Sequence, residues 1–148
     1  MLREELTQGV IQGLHADEVS ERLAKKMNVE MKHAITLVHT ESAYFYNKGT
    51  LDSYGEAEIE QYKLHVTFDR RTSPVCRSLD TGKVYNRDDA SVGYNYPPLH
   101  PRCRTLPIPY FEGVSGPKYR WVGDNTGKSV KVDEPDMTYV EYKKQFLK

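Results

Sequence analysis

The sequence predicts an α+β fold: N-terminal helices packed on a small, mostly antiparallel sheet, with a short C-terminal helix. Three patterns carry the prediction. Apolar residues recur every three or four positions up to about residue 54, without a proline. Tyr62, Leu64, Val66 and Phe68 then alternate with Lys63, His65, Thr67 and Asp69, the period of a half-buried strand. Turn residues punctuate the rest until Thr138 and Glu141, three apart, mark a final helix start. One domain is expected over residues 1–148, helical in 1–55, β-rich in 60–132 and helical again in 138–147.

The first helix is expected over residues 2–14, with Leu2, Leu6, Val10 and Leu14 as its stripe. A second runs from Ala16 or Asp17 to Met27, with Val19, Leu23 and Met27 inward and Asn28 as its stop. The third, from about Glu30 to about Tyr54, presents Met31, Ile35, Val38, Ser42, Phe45 and Gly49 as one face toward the sheet. Phe45 is expected to be buried there. Glu41 lies near that face, either reaching out to water or aimed at an arginine of the following loop.

The strand over 62–68 leads into a segment rich in Pro, Gly, Asp and Arg that holds both cysteines. Asp69 is placed to accept hydrogen bonds from the amides of Arg71 and Thr72. Pro74 can start one helical turn carrying Cys76 and Leu79. Asp80 to Lys83 forms a turn, and Val84-Tyr85 a short strand. Residues 88–98 read as irregular. Arg104 to Tyr110 reads as an edge strand, because Pro107 and Pro109 lack a ladder donor. Tyr119–Val122 and Ser129–Val132 make a hairpin. The last helix spans Tyr139 to about Leu147.

Net charge is zero but divided. Residues 1–62 carry six basic and eleven acidic side chains, a balance of −5; residues 63–148 carry fifteen and ten, a balance of +5. That division favours head-to-tail contacts or an anionic partner for the second half. Eleven tyrosines against four phenylalanines, with a mean hydropathy of −0.71, imply a modest core with many half-wet aromatics. No stretch approaches the ~20 apolar residues of a membrane span, so no membrane partner is expected. Two cysteines make no disulfide framework, and no nucleotide-binding glycine motif or nucleophile elbow is present.

Four motifs in order resemble the phage Mu F-like minor head proteins. They are His39-Thr40-Glu41; Asp69 to Cys76; Leu79-Asp80 with Gly82-Lys83-Val84; and Pro97-Pro98-Leu99-His100-Pro101-Arg102-Cys103-Arg104. The ending around Asp136-Met137-Thr138-Tyr139 resembles the branch from phages of Gram-positive bacteria, and the likeness extends over roughly residues 10–148. It implies a structural head-morphogenesis protein of a tailed phage or prophage, not an enzyme. Such a protein works in the virion or host cytoplasm, with the portal, other head proteins and packaged double-stranded DNA as partners. Full-length relatives carry a further N-terminal portion, so the chain is expected to be a C-terminal fragment. Glu41, Asp69, Thr72, Ser73, Asp80 and Arg104 are the motif positions expected to shape the segment. Arg70, Arg71, Lys83, Arg87 and Arg102 are the candidates for nucleic acid, with Arg77, Arg104, Tyr85, Tyr94 and Tyr96 interleaved.

Many relatives carry Cys-x-x-Cys followed by His-x-x-Cys, a spacing that suits tetrahedral zinc. Here Ser73 takes the first position, leaving Cys76, His100 and Cys103. A fourth donor would be water, Asp69, Asp80 or His65. Three readings stay open: zinc, a Cys76–Cys103 disulfide, or no cofactor and a segment pinned by hydrogen bonds. In the last, Asp69 caps the turn, His100 bonds a carbonyl or carboxylate, and arginines pair with Glu41 or Asp80. The alternative function is a metal-dependent hydrolase using the Cys/His site with Glu41 as base.

Overall fold

A computed structural model describes residues 1–147. Three helices come first: α1 (Leu2–Gln12), α2 (Ala16–Met27) and α3 (Met31–Glu56). Gly13 and Asn28 end α1 and α2 in the left-handed conformation, φ 65° and 52°. Val19, Leu23, Ala34 and Val38 form the buried seam of the group. α1 approaches α2 closely at Gly9, where a Cβ would sit 2.6 Å from Val19 Cγ2. Its inward residues are therefore Leu2, Glu5, Leu6 and Gly9, and Val10, expected in the stripe, is 82% exposed.

The face of α3 also differs from expectation. Ala34, Val38, Asn47 and Tyr54 are buried, whereas Met31 and Phe45 are 38% and 41% exposed and Ser42 and Gly49 face solvent. Only Val38 belongs to both sets. Apolar residues lie around the whole α3 cylinder, so periodicity alone does not select a side. The choice is made by packing: small Ala34 sits in the α2 seam, and Tyr54 joins Tyr62, Leu64 and Tyr96 under the sheet.

The sheet has the order β2-β1-β3, all antiparallel, with β1 (Gln61–His65) central, β2 (Val84–Asn86) and β3 (Leu106–Tyr110). Between β1 and β2 lies the single turn α4 (Pro74–Arg77). A 3₁₀ turn, Arg87–Asp89, follows β2 and overlaps the start of the stretch read as irregular. Alternating burial continues past β1, so Val66 and Phe68 stay inward after ladder pairing stops. A separate hairpin, β4 (Arg120–Gly123) and β5 (Ser129–Val132), precedes α5 (Tyr139–Phe146). The Thr138–Glu141 capping box opens α5 as expected. Val122, Val132, Met137, Tyr139 and Tyr142 bury against Val66, Phe68, Cys76 and Cys103.

Candidate functional site

The segment from Asp69 to Arg104 is closed at three levels. At its base, the Asp69 carboxylate accepts the Arg71 amide at 2.7 Å and both Arg104 guanidinium nitrogens at 2.5 and 2.8 Å. Arg104 holds the Asp69 carboxyl below its ordinary range, and the Arg71 amide adds to the effect. Thr72 is buried and its Oγ1 accepts from the Asp69 amide at 2.9 Å. Of the two expected amide donors, Arg71 bonds the Asp69 carboxylate and makes the Asx turn, while the Thr72 amide donates to the Asp69 backbone carbonyl at 3.2 Å. Gly123 lets the hairpin lie against this turn: its amide donates to Phe68 O at 2.8 Å, and a Cβ there would meet Asp69 Cβ at 2.8 Å.

In the middle, Ser73 Oγ lies 2.8 Å from His100 Nε2 and also caps α4, accepting the Cys76 amide at 3.2 Å. His100 Nδ1 lies 2.7 Å from Pro101 O. A carbonyl only accepts, so Nδ1 carries the proton and Nε2 presents a lone pair toward Ser73 and toward Cys76 Sγ at 3.2 Å. Cys76 Sγ also meets Thr105 Oγ1 at 3.1 Å and Cys103 Sγ at 4.0 Å. Both cysteines are buried free thiols. Their titrations are split. Donation from Cys76, with the Leu99 and Thr105 amides, holds Cys103 low; sharing with Cys103, and burial, push Cys76 up.

The third level fastens the segment to α3. Arg102, at φ 57°, places its amide on Thr40 Oγ1 at 3.1 Å and its Nε on Thr36 Oγ1 at 3.0 Å. Arg71 and Arg104 thus pair with Asp69, Arg102 with α3 and Arg87 with Asp88, none of them with Glu41 or Asp80. Among the described residues Glu41 has no ion-pair partner, and it does not line the cleft that reaches His100. Asp80 accepts the Gly82 amide at 2.9 Å and serves its own turn.

As a zinc ligand set, Cys76, His100 and Cys103 place one donor atom each within 4.8 Å of one another, a span compatible with bonds of roughly 2.0–2.3 Å to a shared ion. The Nδ1 contact to Pro101 O is the outer-shell partner that orients a ligating imidazole. Three donors therefore fit. Beside them stands Ser73, a neutral hydroxyl and a poor fourth ligand. An ion held by these residues would supply a cross-link between α4 and the 100–103 turn.

The nucleic-acid candidates divide. Arg87 donates to the Tyr54 and Ile59 carbonyls at 3.4 and 3.2 Å, so it caps the end of α3. Arg77 donates to Thr72 O and lies over the Tyr139 ring. Lys83 lies over the Tyr85 ring, and Tyr96 is fully buried with its hydroxyl on Asn47 O. Arg70, Arg71, Lys83 and Tyr94 remain exposed.

Sequence reasoning passed over Arg120. It is 2% exposed, donates to Met137 O at 3.0 Å and to Val66 O, and lies 4.1 Å over the Phe68 ring. Burial pushes its pKa down to about 10, leaving it charged at neutral pH. The signal was the hairpin register: inward Arg120 and Val122 leave Tyr119 and Trp121 outside.

Searches of curated proteins and of solved structures return no match. The comparison with protein families matches the family described as Phage Mu protein F like protein, over residues 1–108. The matched stretch includes α1 to α4, β1, β2, the first residues of β3 and the whole closed segment; the end of β3, the hairpin and α5 lie beyond it. With most of its length inside that match, the chain belongs to the phage Mu protein F like family, a family of phage head morphogenesis.

Proposed function

We propose that the chain is a structural minor head component that binds the portal and other head proteins, and touches packaged DNA weakly and without sequence preference. It would work in the host cytoplasm during assembly and in the virion afterwards. The observation that carries this reading is the closed segment. Asp69, Ser73, His100, Arg102 and Arg104 are engaged with one another and with α3, which makes a rigid presenting surface. Capture of the portal by the full-length protein at moderate salt tests it; a portal that passes through unretained removes that partner. DNA binding should fall steeply between about 50 and 200 mM salt, by counterion release. It should be lost on joint Arg70→Glu and Arg71→Glu substitution, whereas Arg87→Glu would damage the fold.

A second reading, in which zinc clamps the same segment, is favoured by the convergence of Cys76, His100 and Cys103. It changes what holds the segment, not what the protein does. The hydrolase alternative has no such support, since Glu41 does not line the cleft that reaches His100.

A further inference from the structure

A cleft of about 740 Å³ lies between α3 and the 100–106 stretch. Ile35, Ala43 and Tyr46 of α3 line one wall; Leu106 with Arg71 and Arg104 lines the other. We propose that this cleft docks an acidic peptide segment of a partner head protein, with one apolar side chain as anchor. The proposal rests on the head-assembly reading above and names the chemistry of the partner.

Four features favour that occupant. The cleft is cationic: Arg71, Arg102 and Arg104 line it, and among the described residues no carboxylate does. Arg102 and Arg104 are fixed by α3 and Asp69, while the Arg71 side chain is 83% exposed and only 3.9 Å from Asp69, so it can take a carboxylate. Its rim is apolar, with Tyr46 64% and Leu106 40% exposed. Asn47 borders the cleft, is 1% exposed, and its Oδ1 has no donor among the described residues. A peptide amide supplies that donor; a phosphate does not.

The neighbouring strand restricts the mode. In β3, Leu106, Ile108 and Tyr110 pair with His65, Lys63 and Gln61. Pro107 and Pro109 lack the amide donors that a further strand would need, and Tyr54 donates to Pro107 O at 3.2 Å. Strand addition at this edge is blocked, so the peptide lies in the cleft beside it.

Fluorescence anisotropy on the full chain tests the proposal. The probe is a fluorescein-labelled peptide of alternating glutamates and leucines; a lysine-leucine peptide and a short oligothymidylate are comparators. The acidic peptide should bind, and salt should weaken it. Arg71→Glu and Ala43→Trp should each weaken it about tenfold at unchanged Tm. Asn47→Leu should weaken binding while leaving Tm unchanged or higher, which a purely structural asparagine would not do. No anisotropy rise, equal binding by the Arg71→Glu and Ala43→Trp variants, or tighter oligothymidylate binding would overturn the docking site. Peptide-reversible self-association in low salt would instead make the occupant a second copy, and overturn it too. If the peptide fails while the portal is still captured, the cleft proposal falls and the head-assembly reading stands.

Discussion

Leu23 and Cys76 are both buried, but in regions built by different means. Around Leu23 the seam comes from adjacent helices, Val19 through Val38, and is apolar. Around Cys76 the partners stand 24 to 29 positions away and are His100, Cys103 and Thr105. The helical region can form from local contacts and tolerates a shift of face. The closed segment cannot form until β1, the 97–105 stretch and the hairpin have met. Its cohesion depends on directional bonds whose loss orphans a buried partner. The helices supply a platform, and the segment supplies a shape fixed upon it.

The first way to break that comparison is at Arg120, the strut between Val66 O and Met137 O. Arg120→Ala should cost about 3–5 kcal/mol, because two buried carbonyls lose their donor and a cavity opens under Phe68. Urea unfolding measures it, and a cost below about 1 kcal/mol would mean that the C-terminal layer is held by apolar contact alone.

In the helical region, Leu23→Ala should cost about 2–5 kcal/mol at a fully buried site. Phe45→Ala, at a site 41% exposed, should cost under about 1 kcal/mol. Equal losses from the two would restore the face of α3 read from periodicity.

Acid titration separates the regions more finely. Arg104 holds Asp69 below its ordinary pKa, so the stability it gives is complete above about pH 4 and is lost as pH falls through the lowered value. His65 is pushed down by burial and by Arg120, so its contribution is complete above about pH 6.5 and lost on acidification. Stability should thus fall in two stages on the acid side. Asp69→Asn should cost about 1–2 kcal/mol at neutral pH and erase the lower stage only. A lower stage unchanged in that variant would place the acid sensitivity elsewhere.

Much of this architecture was legible in the residues. Capping at Thr138, stops at Gly13 and Asn28, and the prolines of β3 each act through local backbone chemistry, which sequence displays directly. The face of α3 was not legible, because Met31, Ile35 and Phe45 outweigh Ala34 and Asn47 in any hydrophobic pattern, while packing rewards the small residue and the hydrogen-bonded one. Asp69, Ser73, His100 and Cys103 were legible as a group through the resemblance. The Asp69–Arg104 pairing was not, since Asp69, Glu41 and Asp80 all offer a carboxylate and only the fold chooses among them. Arg120 was harder to read: a lone arginine in a hairpin reads as solvent-facing unless the register that leaves Tyr119 and Trp121 outside is weighed against it.

We propose that the segment holds itself, with Ser73 bonding His100 and capping α4. Metal analysis of the purified protein, joined to its melting temperature with and without a chelator, tests this most directly. The account predicts no stoichiometric zinc in the wild type and a Tm indifferent to chelator. Cys103→Ala should then be mild, and His100→Ala should cost about 1–3 kcal/mol. Ser73→Cys should acquire about one zinc and become chelator-sensitive, since binding to the folded state adds to stability. About one zinc per wild-type chain, with a Tm that chelation lowers, would contradict the account.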